Sequence, residues 1–282
     1  MDASMPRAAS GLDELRLDIA GPVATLTIDR PAKRNAFHLG MWRAVPDLVA
    51  QVERAAEVRV LVVRGAGDGP FSAGADIAEF GTVRRGAGAA EYSVAVHAAE
   101  QAVAGLSKPT VALVQGFCVG GGCELALACD LRVADETARL GITPSKLGVV
   151  YNQTSTERLV SVVGPAWARY LLLTGELVDA GTALRIGLVH EVHPAGAVVA
   201  AAHRLAAVLA SRAPISVAGG KALIGRAAHG TAAEDAWAQR WYAASYASAE
   251  YAEGVAAFTG KRAPDFSSID WPRLAGDGAP PA

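Results

Sequence analysis

Cysteine is scarce in this 282-residue chain, and its three cysteines, Cys118, Cys123 and Cys129, show no paired metal-ligand spacing. An odd and small count in a chain of this size argues against a disulfide scaffold, and a reduced, cytoplasmic location is expected. An excess of charge of one sign is also lacking: 26 Lys and Arg face 28 Asp and Glu, for a net charge of −2. Neither nucleic acid nor an anionic membrane is therefore expected as a partner. Charged residues make up only 19% against 51% hydrophobic residues, the reverse of what long disorder requires. Long apolar runs are missing as well. Met1 to Gly11 has no apolar stretch of the kind a secretory signal needs. The longest uncharged stretch, Pro109 to Cys123, holds four glycines and a glutamine and is too short to span a bilayer. The six histidines are scattered, and His190 and His193 have no acidic third ligand nearby, so no metal is expected.

What is present is ample core material and 30 glycines, many of them clustered. Leu12–Ile19 and Val23–Asp29 alternate around Gly21-Pro22 and predict a hairpin. Trp42, Val45, Val49, Val52 and Ala56 fall at helical spacing, with Pro46 interrupting that helix or marking its start. Val58–Arg64 predicts a buried strand and Glu91–Leu106 a helix. Thr110–Val114 predicts a strand, Gly116–Gly122 a turn and Glu124–Cys129 a short helix. Strands follow at Leu131–Ala134, Ala138–Ile142 and Val189–His193, and helices at Thr154–Val163, Pro165–Leu173 and Ala180–Ile186. Beyond Pro194 the pattern is helical: Ala195–Ser211, Pro214–Ala228, Thr231–Ala247 and Glu250–Phe258. This predicts an α/β core over 1–194 and a helical region over 195–282.

The most informative segment runs from Gln115 through Gly120-Gly121-Gly122 to Glu124 and Asp130. A strand enters the glycines and a helix leaves them. Glycines let a ligand approach the backbone, and a helix start offers free N–H groups in a field that favours negative charge. The spacing is neither the dinucleotide fingerprint nor a P-loop. An oxyanion site is the functional reading, and a tight strand–helix turn with Glu124 as a helix-end residue is the structural one. A second small-residue loop, Pro70 to Phe80, also follows a hydrophobic strand and could supply another backbone N–H. Two such donors on one carbonyl oxygen would stabilise a developing enolate by several kcal/mol. Ser72 and Ser145 lack a nucleophile-elbow context.

Together these segments resemble the enoyl-CoA hydratase/isomerase (crotonase) superfamily. The resemblance rests on Arg30–Ala36, Phe71–Asp76, Lys108–Leu125, Thr174–Val189 and Glu253–Arg262, in order along nearly the whole chain. It implies a spiral of repeated ββα units with a C-terminal helical region that builds trimers or pairs of trimers. It implies an acyl-CoA thioester ligand and no cofactor beyond that coenzyme A. Carried over, Ala75 and Gly121 donate their N–H groups to the thioester oxygen and Glu124 is the acid/base. Lys33, Ala73, Asp76 and Ile77 would lie along the coenzyme path, and Phe258 and Lys261 would approach it, in one arrangement from a neighbouring subunit.

One departure bears on the chemistry. Ser145, after Pro144, stands where family hydratases carry a second glutamate. Hydration of a 2-enoyl thioester places hydroxide on C3 and a proton on C2, and a hydroxyl is a poor acid or base near neutral pH. Glu124 would act alone or through water. Isomerases of the superfamily use one base, and decarboxylases need an oxyanion hole and few proton-transfer groups, so both stand as alternatives beside a noncatalytic acyl-CoA binder. Tyr151, Asn152 and Gln153 add polar groups that either position a water or substrate atom or simply pack on the following helix. Glu79 and Glu91 flank a Gly/Ala-rich loop, and surface solvation is expected for both. The tail aromatics from Trp237 to Tyr251 are expected in core and subunit packing.

Overall fold

The structure is a computed structural model that describes residues 13–80, 83, 87–228 and 236–272. The start expected for a helix at Thr231, His229 and, of the variable loop expected around Gly81–Ala90, residues 81, 82 and 84–86 lie outside the described residues; from 87 on, that expected loop is instead the start of a helix.

Alternation in the first segment yields the expected hairpin. Strands β1 (Leu15–Ala20) and β2 (Val23–Ile28) pair antiparallel, with Ala20 opposite Val23. Helix α1 (Leu39–Arg54) buries Met41, Trp42, Val45, Leu48, Val49 and Val52, a stripe at three- and four-residue spacing. Pro46 lies inside α1 rather than ending it; this packed stripe holds the helix across the hydrogen bond that proline cannot make. Strands β3 (Val60–Gly65), β4 (Thr110–Val114) and β6 (Leu131–Asp135) continue the sheet in parallel, connected by α2 (Ala87–Gly105) and α3 (Gly121–Ala128). With β9 (Glu191–His193) the order is β1-β2-β3-β4-β6-β9.

A second, smaller sheet orders β5 (Phe117–Val119), β7 (Arg139–Gly141) and β8 (Val178–Asp179). The segment expected as a plain turn over Gly116–Gly122 therefore contains a strand. Single bridges from Ser72 to Cys118 and from Phe37 to Ala75 carry this second layer toward the start of the chain. Two layers of short strands, parallel apart from the β1–β2 and β7–β8 pairs, with intervening helices are the spiral expected from the resemblance. Helix α4 (Gln153–Thr174) is broken at Gly164 (φ 72°, ψ 163°), just before Pro165, where two separate helices were expected. Helix α5 (Ala180–Arg185) ends as the Leu188 amide donates to the Ala183 carbonyl at 2.8 Å, which delays β9 by two residues.

The boundary expected after residue 194 does not separate core from appendage. Helix α6 (Val198–Ala210) sets Val198, Ala201, Ala202 and Ala206 on Val60, Val62, Val111, Leu113 and Val133 of the main sheet. It seals the sheet face opposite α1 and α2. The appended helices begin with α7 (Pro214–Ala228), followed by α8 (Ala236–Tyr246) and α9 (Ala249–Thr259). The tail then returns to the amino ends of β3 and β4: Arg59 donates to the Ile269 carbonyl, and Trp271 Nε1 donates to Ser107 Oγ at 2.9 Å.

Candidate active site

The carboxyl ends of β3 and β4 are where an α/β sheet opens for a ligand. Both glycine-containing loops lie there. After β3, the loop 70–76 is tied down on two sides. The Phe71 and Ser72 amides donate to the carbonyls of Gln115 and Phe117 at 2.8 and 3.0 Å, and Val119 N–H returns to Ser72 at 3.0 Å. Ser72 Oγ donates to the Asn35 carbonyl at 2.8 Å and accepts from Gly74 N–H at 3.1 Å. Ala73 and Asp76 donate their amides to Arg34 and Phe37. Between them, the Ala75 N–H has no acceptor among the described residues.

The second loop leads into α3. Gly120 has φ 56° and ψ −129°, a conformation open to glycine alone. Gly121 is the first helical residue, and its N–H likewise has no acceptor among the described residues. The two loops touch: a Cβ on Gly74 would lie 2.7 Å from the Val119 carbonyl oxygen and 3.5 Å from the Gly121 nitrogen. Beneath them, Trp42 packs against Gly121, stacks on Phe37 at 4.1 Å and donates Nε1 to the Tyr92 hydroxyl at 3.1 Å. The Tyr151 hydroxyl comes within 3.4 Å of where a Gly120 Cβ would stand, so it covers the same spot.

Glu124 falls in the first turn of α3, three residues after Gly121 and so on the same face of the helix. It is 5% exposed, and its Oε1 has no hydrogen-bond partner among the described residues. Burial pushes its carboxyl well above the usual range, and the nearby charges of Glu100 and Cys123 push it further; Ser155 and Arg158 offset part of this. Glu100, on α2, is itself buried, and burial raises it too. Its Oε2 accepts from Ser155 Oγ at 2.7 Å. Sequence reasoning missed Glu100. The available signal was spacing: Glu100 follows Val96 by four and precedes Val103 by three, which places a carboxylate on the apolar stripe of α2.

The other expected site residues divide. Asp76 is buried and serves the scaffold: Arg30 Nη1 donates to its Oδ2 at 2.7 Å, and its Oδ1 caps the Ala78 amide at 3.0 Å. The Arg30 guanidinium holds its carboxyl below the usual range. Ala73 is half-buried at the loop edge, while Lys33 and Ile77 are exposed, Ile77 at 73%. Ser145 is turned outward beside Gly175, and Pro144 is the buried residue of that turn. Asn152 caps α4 by accepting from Ser155 N–H at 2.8 Å, and Gln153 pairs with Glu157 at 2.8 Å. Glu79 is not simply solvated as expected: half-buried, it accepts from the Leu39 amide at 2.9 Å at the start of α1, while the exposed Glu91 pairs with Arg43. Within one chain, Phe258 and Lys261 are not brought to Ala75 and Gly121. Phe258 is 88% exposed and shares a cavity with Phe266, which sits by Arg59 at the opposite end of the strands. The three cysteines are buried thiols, with Cys129 pushed up to about 12 by burial. Among the described residues, no cluster of three metal-ligating side chains occurs, and no single helix is long and apolar enough to cross a membrane.

The family model for enoyl-CoA hydratase/isomerase matches residues 18–269. The chain is a member of the enoyl-CoA hydratase/isomerase family. Among its relatives, the short-chain-enoyl-CoA hydratase of Clostridium acetobutylicum is 34% identical over 76% of this chain and 82% of its own length. The 2,3-dehydroadipyl-CoA hydratase of Escherichia coli is 34% identical over 90% of this chain and 99% of its own. The crystal structure of an enoyl-CoA hydratase/isomerase family protein from Hyphomonas neptunium matches with a TM-score of 0.87 at 37% identity, covering 92% of this chain and 98% of that one. For this hydratase/isomerase family member, the crotonase fold is thus shared across the core and most of the helical region.

Proposed function

We propose that this protein adds water across the C2=C3 bond of a 2-enoyl-CoA thioester. The observation that carries the reading is the pair of acceptor-free N–H groups, Ala75 and Gly121, on two touching loops, with the buried carboxyl of Glu124 one helical turn away. A thioester oxygen accepting from both N–H groups gains most as it becomes an enolate oxygen, and each such donor is worth about 3–4 kcal/mol in a dry site. Glu124 in its ionised form takes a proton from water while the oxygen bonds to C3. The C2=C3 electrons move onto the thioester oxygen. Glu124 then returns the proton to C2, and one water has been added. Both protons come from that single water, so one carboxylate suffices at the reacting carbons.

A cleft of about 540 Å³ between Phe80, Ala89, Ser93 and the Leu147–Val150 turn supports room for the acyl chain. The exposed Tyr246, Tyr251, Val255 and Phe258 of α8 and α9 support a homotrimer or dimer of trimers. Coenzyme A enters as part of the substrate, no other cofactor is invoked, and the location is cytoplasmic. One observation favours a second reading, decarboxylation of a malonyl-type thioester: the Glu124 carboxyl is buried with Oε1 unpartnered among the described residues, burial raises it, and the protonated acid is the form that quenches an enolate.

The test is incubation with 2-enoyl-CoA thioesters in deuterated water, read by mass spectrometry. Gain of one water with deuterium at C2, lost in Glu124→Gln, supports hydration. Exchange at C2 without water gain points to isomerase chemistry. Silence with enoyl thioesters and carbon dioxide release from a malonyl-type thioester moves the assignment to decarboxylation. Coenzyme A binding without any turnover leaves a binding role.

A further inference from the structure

We propose that the Tyr151 hydroxyl is a third hydrogen-bond donor to the thioester oxygen, a catalytic residue beside the Ala75 and Gly121 amides. The inference rests on the reading of those two amides as the oxyanion donors.

The polar side chains from Ser145 to Gln153 separate by what they touch. Ser145 is turned outward beside Gly175, and Lys146 pairs with Glu176 at 3.0 Å. Asn152 commits its Oδ1 to the Ser155 amide at 2.8 Å, and Gln153 pairs with Glu157 at 2.8 Å. Tyr151 is directed to the glycine loops instead. A Cβ on Gly120 would meet the Tyr151 hydroxyl oxygen at 3.4 Å and the Gly74 Cα at 4.0 Å, so the hydroxyl stands over the seam between the two loops. The Gly121 nitrogen belongs to the same seam, 3.5 Å from where a Gly74 Cβ would stand. Gly74 immediately precedes Ala75, and Gly120 immediately precedes Gly121. Each glycine of the seam is therefore bonded, through its carbonyl carbon, to one of the two donor nitrogens.

The hydroxyl is held in this place from both sides of the chain. The Tyr151 ring is half-buried and packs on the main core, and the next residue, Asn152, caps α4. On the other side, Val150 lines the cleft assigned to the acyl chain. The segment thus runs from the acyl cleft past the oxyanion seam into a helix, with Tyr151 at the crossing.

A phenol carries one proton, which rotates to suit its acceptor. As the C2=C3 electrons move onto the thioester oxygen, that oxygen becomes a stronger acceptor, and the bond from Tyr151 strengthens with it. A tyrosine hydroxyl is a known type of enolate donor in a dry site. No proton is transferred: Tyr151 stays neutral, and the enolate charge is shared by three donors rather than two.

The test compares the full-length wild type with Tyr151→Phe, which keeps the ring and removes only the hydroxyl. Calorimetry at pH 7 measures binding of acetoacetyl-CoA, a 3-oxo thioester that ionises to an enolate, and of butyryl-CoA, a saturated thioester that does not. In Tyr151→Phe the acetoacetyl-CoA affinity falls by about tenfold or more, butyryl-CoA changes by less than about twofold, and kcat falls by about 10²-fold with little change in KM. A 3-fluorotyrosine in place of Tyr151 keeps ring and hydroxyl but donates more strongly, and it tightens acetoacetyl-CoA alone. A folded Tyr151→Phe protein that binds both thioesters as before, or loses both equally, overturns the proposal. Should that variant not fold, an unchanged ratio of the two affinities in the fluorotyrosine protein overturns it. If the wild type hydrates no enoyl thioester, the hydration reading fails, yet the two affinities still decide the role of Tyr151. A wild type that binds neither thioester overturns both.

Discussion

Gly122 rests on Ser72: a Cβ at position 122 would stand 2.6 Å from the Ser72 Cβ and 2.8 Å from its Oγ. This contact joins the two loops that carry the oxyanion donors. Ser72 cannot retreat, because its hydroxyl is held by Asn35 and in turn holds the Gly74 amide. Gly122→Ala therefore pushes the 72–75 segment away from α3. The expected result is a loss of about 1–3 kcal/mol in chemical denaturation together with a fall in kcat that exceeds any change in KM. A variant as stable and as active as wild type would refute the contact.

Glu124→Gln preserves the shape of the buried side chain and removes its acid/base function. Turnover is expected to fall by about 10²- to 10⁴-fold, while coenzyme A binding by calorimetry stays intact. Because a buried acid is replaced by a neutral amide, the melting temperature at pH 8 does not fall.

The same burial makes stability depend on pH with a defined sign. Burial raises both Glu100 and Glu124 above the ordinary 4.5, so between 4.5 and their raised values the native state binds more protons than the unfolded state. Stability from this source is complete below 4.5 and is lost as pH rises through that window. Melting curves of wild type and Glu124→Gln should thus diverge in the variant's favour as pH increases. Parallel curves would contradict the assignment.

Asp76 predicts the opposite slope. Its ion pair with Arg30 lowers its carboxyl below 3.8, so the contribution is present above 3.8 and is lost as pH falls through the lowered value. Both side chains are mostly buried, and Asp76→Asn is expected to cost about 1–3 kcal/mol. The same change loosens the Ala75 amide, so kcat/KM falls and the acid-side loss of stability flattens.

Ser145→Glu tests whether a second glutamate can simply be put back by sequence position. The side chain at 145 is exposed next to Gly175, and the inward position of that turn is Pro144. The expected hydration rate is that of the unaltered protein, measured at saturating enoyl thioester. A gain of tenfold or more would mean that position 145 reaches the acyl carbons after all.

Some of this protein was written in its sequence and some was not. Alternation around Gly21-Pro22 determines the first hairpin, because only one register puts Leu15, Leu17, Ala24 and Leu26 on the buried side. Three consecutive glycines between a strand and a helix determine where backbone N–H groups are left free, since no other residue accepts the Gly120 conformation or the close approach at Gly122. These are local properties, set by sterics over a few residues. The remainder depends on which segments meet. That α6 belongs to the core follows only from its seat on Val60, Val111 and Val133. That Asp76 serves the scaffold follows from Arg30, 46 residues earlier. That Ser145 faces out was decided by how its turn packs before α4, because a side chain's direction on a turn carries no local code; the spacing on α2 marks Glu100 as inward, but that it meets Ser155, 55 residues later, follows only from how the helices pack. The carboxyl state of Glu124 is likewise a tertiary property: its chemistry is that of any glutamate until burial and Glu100, 24 residues away in the chain, change the cost of its charge.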